Sequence, residues 1–316
     1  MHFWLFSVSK DLPTNIFENE DIIYLHEQLS QLWHEIFPGN HIYKSIESTS
    51  RWDRVKDINN FITNSDISHL WALIGWFGSN EILDFIDFSS LLSNDKLICG
   101  FSDITVLLNG CYQKTGRMTL HAPNFKTLSK KYPNQSESIR DFLAKINLYG
   151  KDFSFSFWNP DSYFDPSTKE NINDGWMKFV HKWEAEGIVV WWNLSSVNLV
   201  IWTKYEIDLN NKILFLEECD EFSLWIIRRN FFQITSQKSI KWLKWVVFWR
   251  INKNCYRDYD LSLANALHDA FKELNIPVVM NAPFGHVSTN EAFYIGSKCN
   301  INIDAEGIPL VSFTSA

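Results

Sequence analysis

A short segment at residues 100–105, Gly-Phe-Ser-Asp-Ile-Thr, holds the residue of this chain best suited to covalent chemistry. An apolar run at 97–99 precedes it and an amphipathic run begins at 106, so the pattern predicts a strand that turns sharply into a helix. Such a turn can present the Ser102 hydroxyl at the end of a parallel sheet, with the backbone N–H of Asp103 facing an oxyanion. A serine that only caps the helix is the alternative.

Two distant segments carry the partners that such a serine needs. Glu217 ends an apolar run at 213–216, and His286 directly follows Gly285. A serine hydroxyl is a poor nucleophile until an imidazole takes its proton, and the imidazole needs a carboxylate on its other nitrogen. Glu218 competes for the carboxylate role, because alternation along a strand would face only one of the two inward. For His286 the alternative is a structural histidine in a turn.

The elements before Ser102 read as an alternation of strands and helices. Residues 2–8 and 69–75 are predicted strands, and a third strand runs into Ser102. Between the first two, apolar residues recur at steps of three and four, as on one face of a helix: Ile22, Leu25, Leu29, Leu32 and Ile36. This alternation predicts a parallel α/β sheet with ligands at the carboxyl ends of its strands, where Ser102 lies.

The second half of the chain has a different pattern. Residues 126–186 are polar and contain turn-forming Asn-Pro and Asp-Pro pairs, so we expect a loop-rich connection between two domains. Short apolar runs follow, then a helix near 263–274 and a strand at 276–280 that leads to His286. We therefore predict an N-terminal parallel-sheet α/β domain at 1–165 that carries the nucleophile. A smaller strand-rich domain at 166–316 carries the Glu and the His.

Composition excludes several classes of function. The net charge of −8 and the absence of a basic stripe argue against nucleic-acid binding. The five cysteines are scattered without metal-ligand spacing, which predicts reduced thiols in a cytoplasmic protein and no metal. No stretch approaches a membrane span, and the apolar N-terminus is too short for a signal peptide.

Around Ser102, Glu217 and His286 the chain resembles the LD-carboxypeptidase family of serine peptidases, which also includes the microcin C immunity proteins. The matching blocks are 54–59, 78–83 with 86–87, 100–105, 114–116, 193–194, 212–217 and 283–286. The resemblance implies that Ser102 is the nucleophile, His286 the general base and Glu217, at the family's glutamate position, its carboxylate. It also implies a second oxyanion donor from the loop at Trp76, no cofactor and a homodimer.

The resemblance further implies a small substrate with a free carboxylate, either an L,D-peptide of murein or an aminoacyl-nucleotide conjugate. Ile74 stands where carboxypeptidases of murein recycling usually have Arg. Trp158 and Trp176 match aromatic positions of the immunity-protein branch, where a ring can stack on a nucleotide base. A merely packed loop is the simpler explanation of these two rings. A catalytically inactive binding protein on the same fold is the alternative to a hydrolase.

Tryptophan is unusually abundant, with 15 Trp beside only 12 Gly. Ten of them fall where the family pattern has glycine: Trp4, Trp33, Trp76, Trp183, Trp191, Trp192, Trp202, Trp242, Trp245 and Trp249. Our hypothesis is that UGA specifies glycine in the native host and is read here as tryptophan. Glycine at all ten positions would restore its ordinary share of about 7%. The alternative is a Trp-rich protein that has repacked around these rings.

Overall fold

The computed structural model groups the chain into two compact units, the N-terminal unit Met1–Ile146 and the C-terminal unit Asn147–Ala316. The sequence pattern predicts the boundary between the two domains at residue 165. The structure describes residues 1–7, 20–42, 50–75, 77–129, 135–157, 163–165, 170–172, 177–181, 184–219, 223–249, 259–287 and 290–315.

The N-terminal unit contributes five parallel strands, in the order β5-β4-β3-β1-β2. Its central strands are short and buried along their whole length, as expected for a parallel sheet covered on both faces. The predicted parallel α/β arrangement is therefore confirmed. The elements are β1 (His2–Phe6), α1 (Glu20–Gln31), β2 (Glu35–Pro38), α2 (Arg51–Thr63), β3 (His69–Ala72), α3 (Phe88–Ser93), β4 (Leu97–Gly100), α4 (Thr105–Thr115), β5 (Thr119–His121), α5 (Phe125–Ser129) and α6 (Gln135–Ile146).

The helical pattern predicted through Ile36 stops earlier in the structure. Helix α1 ends at Gln31, and Ile36 lies in strand β2, which pairs with β1. The chain leaves the helix at Trp33, where φ is +60°. The N–H of Trp33 then bonds to the carbonyl of Ser30, and that of His34 to the carbonyl of Leu29. These two bonds form the usual closing turn of a helix, which places a left-handed residue just past its end.

The C-terminal unit contains an eight-stranded mixed sheet, in the order β6-β16-β15-β10-β11-β12-β13-β9. Its four neighbouring strands β10 to β13 are parallel, and antiparallel strands flank them on both sides. The elements are β6 (Ser154–Ser156), β7 (Tyr163–Asp165), β8 (Glu170–Ile172), β9 (Lys178–His181), β10 (Ala185–Asn193), α7 (Leu194–Val197), β11 (Lys212–Glu217), α8 (Leu224–Thr235), β12 (Trp245–Trp249), α9 (Tyr259–Phe271), β13 (Val278–Ala282), β14 (Phe293–Ile295), β15 (Lys298–Ile303) and β16 (Pro309–Thr314).

The segment expected to be loop-rich, 126–186, contains regular structure. Helix α6 lies inside it and buries Ile139, Phe142 and Ile146 on one face. This spacing of three and four residues drives helix formation despite the polar residues around it. Over the part of the chain that the structure describes, no helix is long and apolar enough to cross a membrane.

Candidate active site

Ser102 lies in a strained backbone turn at the carboxyl end of β4. Its φ of +67° is in the left-handed region, which a residue with a side chain adopts at a cost of about 1–3 kcal/mol. A single 3₁₀ turn, Ser102–Ile104, follows, and α4 begins at Thr105. The Thr105 hydroxyl donates to the carbonyl of Ser102 at 2.5 Å. The predicted strand, sharp turn and helix are thus present around the candidate nucleophile.

Gly75, in the loop after β3, lies directly against Ser102. A Cβ atom at Gly75 would be 2.7 Å from the Ser102 Cβ and 3.0 Å from its Oγ. Any side chain at residue 75 would therefore displace the serine. The loop continues to Ser79, whose N–H donates to the buried Asp103 carboxylate at 2.8 Å. Through this bond, the side chain of Asp103 ties the loop to the serine turn.

Asn124 and Arg54 hold the same turn and loop from further away. The Asn124 amide accepts from the N–H of Phe101 at 3.1 Å and donates to the carbonyl of Phe101 at 3.3 Å. The buried guanidinium of Arg54 donates to the carbonyl of Gly78 at 3.2 Å and to Glu81 at 2.6 Å. In the sequence, Arg54 and Glu81 stand only within matching blocks, and no local pattern singles out Asn124, whose partner lies 23 residues away.

In the C-terminal unit, the structure brings Glu217 and His286 together. Glu217 ends β11, and His286 follows β13, two strands away in the sheet. Nδ1 of His286 lies 2.6 Å from Oε2 of Glu217, whose side chain is fully buried, while His286 is partly exposed. When Nδ1–H donates to this carboxylate, Nε2 carries the lone pair and can accept a proton from a hydroxyl.

Asn193 and Gly285 complete the surroundings of Glu217. Asn193 lies beside Glu217 in the parallel register of β10 and β11, and its Nδ2 donates to Oε1 of Glu217 at 2.9 Å. Gly285 has φ +90°, and a Cβ there would be 2.9 Å from the Cβ of Glu217. The N–H of Gly285 donates to Asn290 Oδ1 at 2.7 Å, which fixes the turn before His286.

Glu218, the competing carboxylate, bonds to groups other than His286. Ser195 Oγ donates to its Oε2 at 2.5 Å, and the N–H of Cys219 and Nδ2 of Asn193 donate to its Oε1. Burial, followed by the negative charge of Glu217, raises the pKa of Glu218. Alternation along the strand does not decide which glutamate faces inward, because β11 ends at Glu217 and both carboxylates are buried.

The other candidate residues, Trp76, Trp158 and Trp176, lie outside the described residues. Asp103 lies in the 3₁₀ turn that begins at Ser102, and its buried carboxylate accepts from the N–H of Ser79. Among the residues that the structure describes, no group of three or more His, Cys, Asp or Glu side chains is arranged to hold a metal ion.

Two family models match this chain, one in each half of the sequence. The model of the LD-carboxypeptidase N-terminal domain matches residues 5–122, and that of the C-terminal domain matches residues 186–301. The chain belongs to the LD-carboxypeptidase family. Ser102 falls within the first LD-carboxypeptidase domain, and Glu217 and His286 fall within the second. The resemblance seen in the sequence is thereby confirmed.

Relatives and solved structures agree with this assignment. The chain is 28% identical to a putative carboxypeptidase of Treponema pallidum over 276 residues, 85% of this chain and 81% of the relative. An MccF-like protein from Bacillus anthracis superposes with a TM-score of 0.89 at 23% identity, covering 100% of this chain and 97% of the other. MccF in complex with glutamyl sulfamoyl guanosine gives 0.85 at 20% identity, covering 100% and 96%. The two-domain LD-carboxypeptidase fold of this chain is therefore shared with MccF.

Proposed function

We propose that this protein is a serine hydrolase of the carboxypeptidase type, in which Ser102 is the nucleophile, His286 the general base and Glu217 the supporting carboxylate. The observation that carries the proposal is the 2.6 Å contact between Nδ1 of His286 and the buried carboxylate of Glu217. A carboxylate in that position fixes the tautomer of the imidazole and stabilises its protonated form. The strained turn at Ser102 supports the same assignment.

The proposed reaction proceeds through an acyl-serine intermediate. His286 Nε2 takes the proton of Ser102 as Oγ attacks the carbonyl carbon of the substrate. The tetrahedral intermediate collapses, and the leaving group departs with the proton from His286. Water then attacks the acyl-serine, gives its proton to His286 and releases the acid, and the proton returns to Oγ of Ser102.

The oxyanion of the tetrahedral intermediate needs backbone donors near Ser102. We assign the N–H groups of Asp103 and residue 76 to this role, each contributing about 3 kcal/mol to lowering the barrier. The close approach of Gly75 to Ser102 supports this assignment, because it brings the loop backbone to the nucleophile.

We propose a small substrate with a free carboxylate. Two classes fit: an L,D-peptide of murein, after the activity in the family name, and an aminoacyl-nucleotide conjugate, after the ligand bound by MccF. The aromatic residues Trp158 and Trp176 are candidates for stacking on the base of the second class.

Hydrolysis assays on both substrate classes test the proposal. Purified protein is incubated with a murein tetrapeptide and with an aminoacyl sulfamoyl nucleoside, and release of the terminal amino acid or of the nucleoside is measured. We expect turnover of one of them, its loss in Ser102→Ala, and unchanged turnover in Ser93→Ala, which alters an exposed serine of α3. Saturable binding without turnover of either substrate would favour the inactive binding protein.

By the same resemblance, we propose that the protein acts as a homodimer in the cytoplasm. Sedimentation equilibrium of the purified chain tests the assembly. A single species of twice the chain mass supports it, and a monomer at micromolar concentration contradicts it.

A further inference from the structure

Glu218 is a buried carboxylate that the proposed reaction does not use. Only about 1% of its surface is exposed, and three polar groups bond to its carboxylate. Its Oε2 accepts from Ser195 Oγ, and its Oε1 accepts from the N–H of Cys219 and from Asn193 Nδ2. Burial of a carboxylate costs free energy, and the hydrogen bonds from these three partners offset part of that cost.

The Asn193 amide connects Glu218 to Glu217. Nδ2 of Asn193 donates to Oε1 of Glu217, with an N···O distance of 2.9 Å, and to Oε1 of Glu218, with an N···O distance of 3.2 Å. The amide cannot rotate by 180°, because its Oδ1 accepts from both the N–H and the hydroxyl of Ser196, at 3.0 and 2.9 Å. Asn193 therefore has one orientation, in which it bridges the two glutamates.

We infer that Glu218 is a positioning residue that holds the Asn193 amide on Glu217, and so fixes the carboxylate that orients His286. This inference rests on the proposed function. Burial, followed by the negative charge of Glu217, raises the pKa of Glu218, which shows that the two carboxylates interact across the Asn193 amide.

Two variants of Glu218 separate positioning from charge. In Glu218→Gln, the side-chain carbonyl can still accept from Asn193 and Cys219, and the amide can donate to Ser195, so the arrangement is preserved. In Glu218→Ala, these three partners lose their acceptor, and Nδ2 of Asn193 keeps only its bond to Glu217. We expect kcat to fall about tenfold or more in Glu218→Ala with KM changed less than about twofold, and Glu218→Gln to restore kcat. The control is Glu186→Ala, an exposed glutamate of β10.

Acylation of Ser102 by a fluorophosphonate, followed by mass spectrometry, keeps the two proposals apart. If the wild type is acylated at Ser102 and folded Glu218→Ala reacts at the same rate, the positioning inference alone is wrong. If the wild type is not acylated, both proposals are wrong. A downfield proton NMR signal from Nδ1–H of His286 that disappears in Glu218→Ala and remains in Glu218→Gln would support positioning independently of turnover.

A second inference rests on the backbone at two tryptophans. Among the described residues, six non-glycine residues have positive φ: Trp33, Ser102, Trp202, Asn211, Asn275 and Asn281. Asparagine tolerates this region and Ser102 lies at the candidate nucleophile turn, but a bulky aromatic residue there is a steric outlier. Trp33 and Trp202 are 90% and 70% exposed, so packing of their rings does not compensate for the strain.

The indole nitrogens of four other tryptophans differ in the same direction. Trp71, which is not at a family glycine position, donates its Nε1–H to the carbonyl of Pro123 at 2.8 Å. By contrast, the buried Nε1 atoms of Trp4, Trp245 and Trp249 have no hydrogen-bond partner in the described part of the chain. A buried indole N–H normally finds an acceptor, so these three rings do not fit their surroundings as Trp71 does.

The geometry points to glycine at residues 33 and 202 of the native protein, and by extension at all ten tryptophans that fall at family glycine positions. Residue 33 occupies the position just past a helix end where glycine is strongly preferred. A host in which UGA specifies glycine would produce this pattern. Peptide mass spectrometry of the protein isolated from its native host tests it directly: glycine at 33 and 202 supports the inference, and tryptophan at either position overturns it.

Recombinant variants give a second test. Trp33→Gly and Trp202→Gly should each raise Tm, because they remove side chains from a left-handed backbone. Trp225→Gly, which replaces an exposed tryptophan inside helix α8, should lower Tm. A lower Tm in Trp33→Gly and Trp202→Gly would contradict the inference.

Discussion

The two halves of the proposed catalytic triad, one in each unit, are built by different means. In the N-terminal unit, Ser102 is positioned mainly by backbone conformation and close packing: its φ is left-handed and Gly75 lies directly against it. The side-chain amide of Asn124 bonds to the backbone of the preceding residue, Phe101. In the C-terminal unit, His286 is positioned by side-chain hydrogen bonds that run through Glu217 to Asn193. We therefore expect the contribution of the serine half to activity to be sensitive to added volume, and that of the histidine half to be sensitive to changes in hydrogen bonding and charge.

The largest effect should come from the hydrogen-bonded half. Glu217→Gln keeps the volume but can place an amide N–H against Nδ1 of His286, which favours the wrong tautomer. We expect kcat to fall about 10⁴-fold, as when the carboxylate of a catalytic triad is replaced by its amide. Steady-state kinetics on the substrate found to be turned over measure this change. A loss of less than tenfold would show that His286 does not depend on Glu217.

Added volume should break the other half. In Gly75→Ala, the new Cβ would lie 2.7 Å from the Cβ of Ser102, so the serine must move. We expect kcat to fall about 10²-fold, since displacement of a reacting group by about 1 Å has that cost. The control Gly116→Ala has strained backbone, φ +69°, but nothing within 4 Å. It should lower Tm and leave kcat unchanged.

In the C-terminal unit, the same substitution acts through the hydrogen bond of the histidine half, because a Cβ at Gly285 would lie 3.0 Å from Oε2 of Glu217, the oxygen that contacts His286. Gly285→Ala adds a Cβ 2.9 Å from the Cβ of Glu217 in a backbone with φ +90°. It should therefore lower both kcat and Tm, whereas Gly150→Ala, at φ +72° with open space around it, should lower Tm only. Thermal unfolding and kinetics on the four glycine variants measure these differences. Equal kcat in Gly285→Ala and Gly150→Ala would contradict the account of the histidine half.

The smallest expected effect is a pH-dependent change in the Tm of a Glu218 variant. Because burial and Glu217 raise the pKa of Glu218 in the folded protein, the ionised form destabilises the fold above that pKa. The penalty disappears as the pH falls through the raised pKa toward the ordinary value. Glu218→Gln should therefore raise Tm at pH 8, with a gain that shrinks toward pH 4. A gain that grows as the pH falls would show the opposite sign of the shift.

Local patterns predicted the elements that lead to each candidate residue. The apolar run before Ser102 and the Gly-His pair at 285–286 were visible in the sequence, and β4, α4 and β13 follow from them. Helix α6 was missed because its apolar residues are spaced among charged and polar ones. The contacts of Asn124 with Phe101 and of Ser195 with Glu218 were missed because each joins residues more than 20 positions apart. Such pairs depend on tertiary packing, which local patterns do not encode.

The proposed reaction requires Ser102 of one unit to act with His286 of the other. The most direct test is the rate at which a fluorophosphonate acylates Ser102, measured by intact mass in the wild type, in His286→Ala and in the control His26→Ala, an exposed histidine of α1. We predict that the wild type and His26→Ala react at the same rate and that acylation in folded His286→Ala is lost. Acylation of His286→Ala at the wild-type rate would contradict this requirement.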